Sequence, residues 1–178
     1  MQKIKIIDKH FEHFIAEEKI LNAIKSLADK INSDYTNEPY LILSVLNGSF
    51  MFTSDLMKNL NGEVSISFVK LTSYEGVSST GSIKNLIGLN DDIEGKNIII
   101  VEDIIDTGLT LKHLKALLEE KKPKTIKIAT LLFKPSAFRE NYHIDYVGME
   151  IPNDFIVGYG LDYNGLGRNL SAIYKLSE

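Results

Sequence analysis

Glu102, Asp103, Asp106, Thr107 and Thr110 crowd into one short stretch, Val-Glu-Asp-Ile-Ile-Asp-Thr-Gly-Leu-Thr, from Val101 to Thr110. Acids and hydroxyls at this spacing suit a phosphorylated sugar. Glu102 and Asp103 can accept hydrogen bonds from sugar hydroxyls or hold a hard cation. Thr107 and Thr110 add hydroxyl donors, and Gly108 lets the backbone approach a ligand closely. Asp106 opens the loop Asp106-Thr107-Gly108-Leu109-Thr110, which leads into a helix. Free backbone N–H groups and the helix dipole at such a terminus favour a phosphate.

The flanking residues supply the elements that place these groups. Ile98, Ile99 and Ile100 come first, an apolar run that reads as a strand buried on both faces. The two acids fall where that run ends. Leu111, Leu114, Leu117 and Leu118 follow at helical spacing and stop before Pro123. Strand, loop and helix in this order put a ligand beyond the carboxyl end of a parallel strand. A capped connection without any ligand is the plain alternative for a single loop of this kind.

A second such unit precedes it. Tyr40 to Leu46 is a buried strand, Asn47-Gly48-Ser49 a tight loop, and Phe50 begins a helix. The loop is either a plain turn or an anion cradle built from backbone amides. Further strands are expected at Val64–Phe68, Ile83–Leu89, Thr125–Phe133, Ile144–Pro152 and Leu170–Leu176, and a short strand or arm at Met1–Ile7. Ala16 to Asn32 reads as a helix whose apolar stripe comprises Ile20, Leu21, Ile24, Leu27, Ala28 and Ile31. Glu75 to Ser82 is a flexible stretch, either a surface loop or a lid.

The totals narrow the partners. The chain has 178 residues, a net charge of −4 and no cysteine. One α/β domain is expected, and nucleic acid is disfavoured as a partner because backbone binding needs concentrated positive charge. No disulfide or cysteine-based metal site is available. No membrane span or signal peptide is expected, so the chain is expected in the cytoplasm. His10, His13, His113 and His143 lack metal-site spacing.

The stretch Val101–Thr110 resembles the phosphoribosyl-pyrophosphate (PRPP) motif of the type I phosphoribosyltransferases, and Asp106 places it near the hypoxanthine-guanine branch. Phe155-Ile-Val-Gly-Tyr-Gly-Leu-Asp162-Tyr163, with Arg168 beyond, resembles a second pattern of that family. Asn47-Gly48-Ser49, Ser73-Tyr74 and Lys134 fall in the matching order. The resemblance spans about Tyr40 to Arg168.

It implies a type I phosphoribosyltransferase fold: a mostly parallel sheet flanked by helices, with a small hood from the N-terminal segment and about 150–178. It implies transfer of phosphoribose from PRPP to hypoxanthine or guanine, with Mg²⁺. Glu102, Asp103, Asp106, Thr107, Gly108, Leu109 and Thr110 would bind PRPP, with Asp106 as general base at purine N7. Asn47, Gly48 and Arg168 would bind pyrophosphate, with a cis bond between Asn47 and Gly48. Asn47 replaces a lysine common in the family. Lys134, Phe155, Ile156 and Asp162 would surround the purine. Glu102, Asp103 and Asp162 would hold the metal, and Ser73 and Tyr74 would lead a closing lid. A homodimer or homotetramer is implied. A xanthine-preferring enzyme and an RNA-binding nucleotide sensor on the same fold are the alternatives.

Overall fold

The computed structural model describes residues 3–72, 85–88 and 92–177. Ser73, Tyr74 and the expected lid lie outside these residues.

The strands expected to be doubly buried form the centre of a six-stranded sheet. β3 (Tyr40–Leu46), β4 (Val64–Thr72), β5 (Asn85–Ile87), β6 (Asn97–Ile105), β7 (Thr125–Phe133) and β8 (Tyr146–Glu150) lie in the order β5-β4-β3-β6-β7-β8. β4, β3, β6, β7 and β8 are mutually parallel, and β5 caps one edge in antiparallel sense. Side chains alternate across a strand. Ile99 and Val101 therefore join a core with α1 (Glu17–Asp34) and α2 (Phe50–Met57), whereas Ile98 and Ile100 join one with α3 (Leu109–Glu119). Ile20, Ile24, Leu27 and Ile31 of α1 are almost wholly buried in the first core, and Leu111, Leu114 and Leu118 of α3 in the second. Each such side chain contributes about 1.5–3 kcal/mol of burial. Leu21, expected in the α1 stripe, is 41% exposed, because it falls a quarter-turn off the packed face.

The parallel strand β6 runs on through Glu102 and Asp103 to Ile105, further than the apolar run suggests. Its pairing with β7 continues at Glu102–Thr130, Ile104–Leu132 and Ile105–Phe133, so the ladder carries the acids inside the sheet. The alternation also divides them. Glu102 shares the parity of Ile100 and the α3 side, and Asp103 that of Val101 and the α1–α2 side.

A separate four-stranded antiparallel sheet has the order β1-β2-β10-β9, from β1 (Lys3–Ile6), β2 (Lys9–Ile15), β9 (Ile156–Val157) and β10 (Ile173–Ser177). β2 has no counterpart in the sequence reading. Only Phe11 and Ile15 of its residues are fully buried, and its order comes from pairing with β1 and with β10, far along the chain. β8 and β10 are shorter than expected, because the residues around them lie in bends and irregular backbone. On β4 the expected alternation gives way to exposed apolar groups: Ile66 and Phe68 are 40% and 42% exposed.

Candidate active site

The carboxyl ends of β3 and β6 meet at a cavity of about 260 Å³. Gly48, Glu102, Asp103, Asp106, Gly108 and Thr110 line it. The two strand–loop–helix units of the sequence therefore converge on one place, as parallel-sheet geometry requires. A larger cavity of about 800 Å³ lies at the amino ends, beside Glu38, Asn97 and Lys124. Those groups pair with one another, Lys124 with Glu38 at 2.8 Å and Asn97 with Glu38 at 3.1 Å, so they present little free chemistry.

The loop after β6 is held in a shape that exposes its amides. Gly108 caps α3 with φ of 84°, a conformation that glycine adopts without the steric cost other residues meet. A Cβ there would meet the Phe138 ring at 2.5 Å and the Tyr142 hydroxyl at 2.8 Å. Tyr142 donates its hydroxyl to the Gly108 carbonyl at 2.7 Å. The Arg139 amide bonds the Thr107 carbonyl at 3.2 Å. Phe138, Arg139 and Tyr142, unremarked in the sequence, thus form the backing of the loop. Asp106, Thr107, Leu109 and Thr110 stay exposed. Asp106 Oδ1 accepts the Thr107 amide at 2.5 Å, which fixes its carboxylate at the mouth. The first three amides of α3 have no helical carbonyl one turn back; that of Leu109 bonds Thr107 Oγ1 at 3.5 Å, and Lys112 is the first to bond within the helix, to the Gly108 carbonyl at 3.0 Å.

Burial disfavours the charged form of both acids. Burial, then Asp103, then Asp106 hold the Glu102 carboxyl well above its ordinary range. Burial pushes Asp103 up to about 6, against the pull of the Ile104 amide and of Arg168. An opposite charge brought close to them would favour their ionised forms. Among the described residues no three acids or histidines converge on one point for a metal.

Asn47 and Gly48 bring a second set of backbone groups. The cis peptide lies between Leu46 and Asn47, one bond earlier than the resemblance implied. Below the loop, Ser44 shares hydrogen bonds of 2.7 Å with both Ser49 and Thr53, all three wholly buried. These hydroxyls tie the loop and α2 to β3.

Two tight hairpins then deliver Asp162 and Arg168. Tyr159-Gly160 and Asn164-Gly165 occupy their tips, all with positive φ. Asn-Gly is a strong turn signal of this kind, and it was available in the sequence. Arg168 donates to the Gly160 carbonyl at 2.7 Å and pairs with Asp162 at 2.5 Å. Asp162 also accepts the Gly165 amide at 2.6 Å.

Phe155 and Lys134 are not among the residues that line the cavity. Phe155 is 46% exposed, with Phe11 and Tyr163 rings 6.2 and 5.9 Å away. Its exposure leaves an aromatic face free for a flat ligand. Lys134 donates to the Asp154 carbonyl at 2.7 Å, which parks its ammonium beside Phe155. Ile156 is buried, and its backbone pairs with β10 at Lys175. Phe11 and Lys9, whose ammonium lies 5.6 Å from the Phe155 ring centre, belong to the unforeseen β2.

The carboxyl ends of the parallel strands β3 and β6 thus gather two acids, Asp106 and a glycine-capped helix terminus round one cavity, the arrangement of an α/β ligand-binding domain. The model of the phosphoribosyl transferase domain matches residues 12–164. A hypoxanthine-guanine phosphoribosyltransferase of Aquifex aeolicus is 39% identical over 176 residues, 98% of this chain and 99% of that one. One from Staphylococcus aureus is 42% identical over 166 residues, 93% of each chain. The crystal structure of a hypoxanthine-guanine phosphoribosyltransferase from Bacillus anthracis superposes with a TM-score of 0.84 at 40% identity, covering 93% of this chain and 98% of that chain. The chain belongs to the phosphoribosyl transferase domain family, among relatives named hypoxanthine-guanine phosphoribosyltransferases.

Proposed function

We propose that the chain transfers the 5-phosphoribosyl group of PRPP to hypoxanthine or guanine, giving a nucleoside monophosphate and pyrophosphate in purine salvage. The single observation that supports this most is the convergence of Glu102, Asp103, Asp106 and the α3 terminus with Gly48 on one cavity. In this reading the amides and hydroxyls of Thr107 to Thr110 hold the 5-phosphate. Glu102 and Asp103 bind the ribose hydroxyls. As pyrophosphate leaves, positive charge develops on the ribose and negative charge on the leaving group. Arg168 and the Asn47–Gly48 amides take the leaving group. Asp106 accepts the N7 proton of the attacking base. Phe155 stacks on the purine, and the Ile156 main chain reads its edge. Lys134 leaves the Asp154 carbonyl to donate to the six-position oxygen, a bond that adenine's amino group cannot accept.

Glu102, Asp103 and Asp162 are the carboxylates that would hold Mg²⁺. When bound, the ion supplies charge stabilisation to pyrophosphate. Burial raises both carboxyls, and a bound cation would favour their charged forms. Ser73 and Tyr74 lead the lid in this reading. The whole chain acts as one domain, with the four-stranded sheet as hood over the base.

No helix among the described residues is long and apolar enough to cross a membrane. The proposed setting is the cytoplasm. Phe50, Ile66 and Phe68, 43%, 40% and 42% exposed, support assembly as a homodimer or homotetramer. Sedimentation would give one of those masses, and a monomer would remove the proposal. The transfer itself is tested by incubating the chain with PRPP, Mg²⁺ and hypoxanthine. Inosine monophosphate and pyrophosphate in equal amounts are expected, and their absence would reject it.

A further inference from the structure

We propose that Tyr159 and Asp55 form a positioning clamp, which sets the spacing between the Asn47–Gly48 backbone and the Arg168 guanidinium. The clamp rests on the reading of these groups as the two halves of a pyrophosphate pocket.

The two halves come from different sheets. Asn47 carries no charge, so its loop offers a phosphate only amides. The cation must arrive from the hairpin that bears Arg168. Arg168 is fixed to that hairpin through the Gly160 carbonyl and Asp162. Gly160 in turn lies against the other half, since a Cβ on it would sit 2.0 Å from the Gly48 carbonyl oxygen. Such a contact sets how close the two can come and does nothing to keep them together.

Tyr159 supplies the holding force. It stands at the tip of the hairpin with φ of 49° and is 2% exposed. Its hydroxyl donates to Asp55 Oδ2 at 2.5 Å. Asp55 belongs to α2, the helix that follows the Asn47–Gly48 loop. One turn of the same helix carries Thr53, which bonds Ser44 on β3 at 2.7 Å. Ser49 closes the set by donating to the Val45 carbonyl at 2.5 Å. α2 is therefore locked to the strand that delivers the amides, and through Asp55 it grips the hairpin that delivers the cation. A hydrogen bond to a carboxylate is among the stronger kinds, and this one is partly buried.

Tyr159→Phe keeps the ring and removes the bond. The KM for PRPP should rise about tenfold, while kcat and the KM for hypoxanthine stay within about twofold. Asp55→Ala should act alike, and Asp55→Asn, which keeps an acceptor oxygen, should restore most of the loss. Lys58→Ala removes the 2.8 Å ion pair of Asp55 and should leave every constant unchanged. Calorimetric binding of magnesium pyrophosphate to each variant reads the clamp without turnover. Weaker pyrophosphate binding by Tyr159→Phe in a chain that turns over no base would keep the clamp and reject the transfer reading. If Tyr159→Phe fails to fold by circular dichroism, Asp55→Ala, at a side chain 23% exposed, decides the matter. Wild-type pyrophosphate affinity in the folded variants would overturn the clamp. So would a parallel loss in both KM values and kcat, or a wild-type chain that binds no pyrophosphate.

Discussion

Gly48 and the Asp103 carboxylate touch: a Cβ on Gly48 would sit 1.7 Å from Asp103 Oδ2. One residue comes from the loop after β3 and the other from the strand β6 beside it. Parallel pairing of Ser44 with Val101 brings the two strand ends level, and the loop then folds over the acid. The contact joins the ribose side of the cavity to the pyrophosphate side.

Gly48→Ala should therefore remove activity without unfolding the chain. The methyl group must displace either the loop or Asp103, and a shift of about 1 Å in such a site can cost about 10²-fold in rate. Gly62→Ala is the comparison. Gly62 has φ of +87° and open space around it, so alanine should cost about 1–2 kcal/mol of stability and no activity. Steady-state rates and thermal unfolding of the two variants check both halves.

The buried acids make stability depend on pH. Asp103 rises from an ordinary 3.8 to about 6 and Glu102 rises above 4.5, so the folded chain binds these protons more tightly than the unfolded one. The contribution of Asp103 is full below about pH 4 and is lost as pH rises through about 6, and that of Glu102 likewise falls as pH rises. The ligand-free chain should melt at a higher temperature at about pH 5 than at about pH 7.5. Glu102→Gln with Asp103→Asn should raise the melting temperature at the higher pH and flatten the dependence. Mg²⁺ with PRPP should narrow the gap in the wild type, because a bound cation favours the charged carboxyls.

Phe155→Ala should act on the base and spare the sugar. Aromatic stacking beyond area burial is worth about 0.5–1.5 kcal/mol, so the KM for hypoxanthine should rise about three- to tenfold. The KM for PRPP should not change. Initial rates with each substrate varied in turn separate the two constants.

Asp106→Asn keeps the shape of the residue and removes the proton acceptor. Its side-chain oxygen can still accept the Thr107 amide, so the loop should hold. General-base catalysis is typically worth about 10²–10⁴-fold, and kcat should fall by that order with PRPP affinity within about threefold. Unchanged turnover in a folded variant would take the base role away from Asp106.

Much of this site was legible before the fold. β3 and β7 begin and end at the residues their apolar runs define. The strand–loop–helix order around Asp106 to Thr110 was legible from residue types, which left a phosphate loop and a plain capped connection both open. The opposite facing of Glu102 and Asp103 was also open to reading, because it follows from strand alternation. β2 was not, because charged residues interleave its buried Phe11 and Ile15, and partners far along the chain order it. The cis bond at Leu46–Asn47 leaves no local mark. Nor does the bond between Tyr159 and Asp55, whose partners stand 104 residues apart.

The most direct measurement offers hypoxanthine, guanine, xanthine and adenine separately to the purified chain with PRPP and Mg²⁺, and follows nucleotide formation by absorbance. Turnover of hypoxanthine or guanine without turnover of adenine is expected, with Lys134 as the discriminating group. Preferred turnover of adenine, or PRPP binding with no turnover of any base, would contradict the assignment.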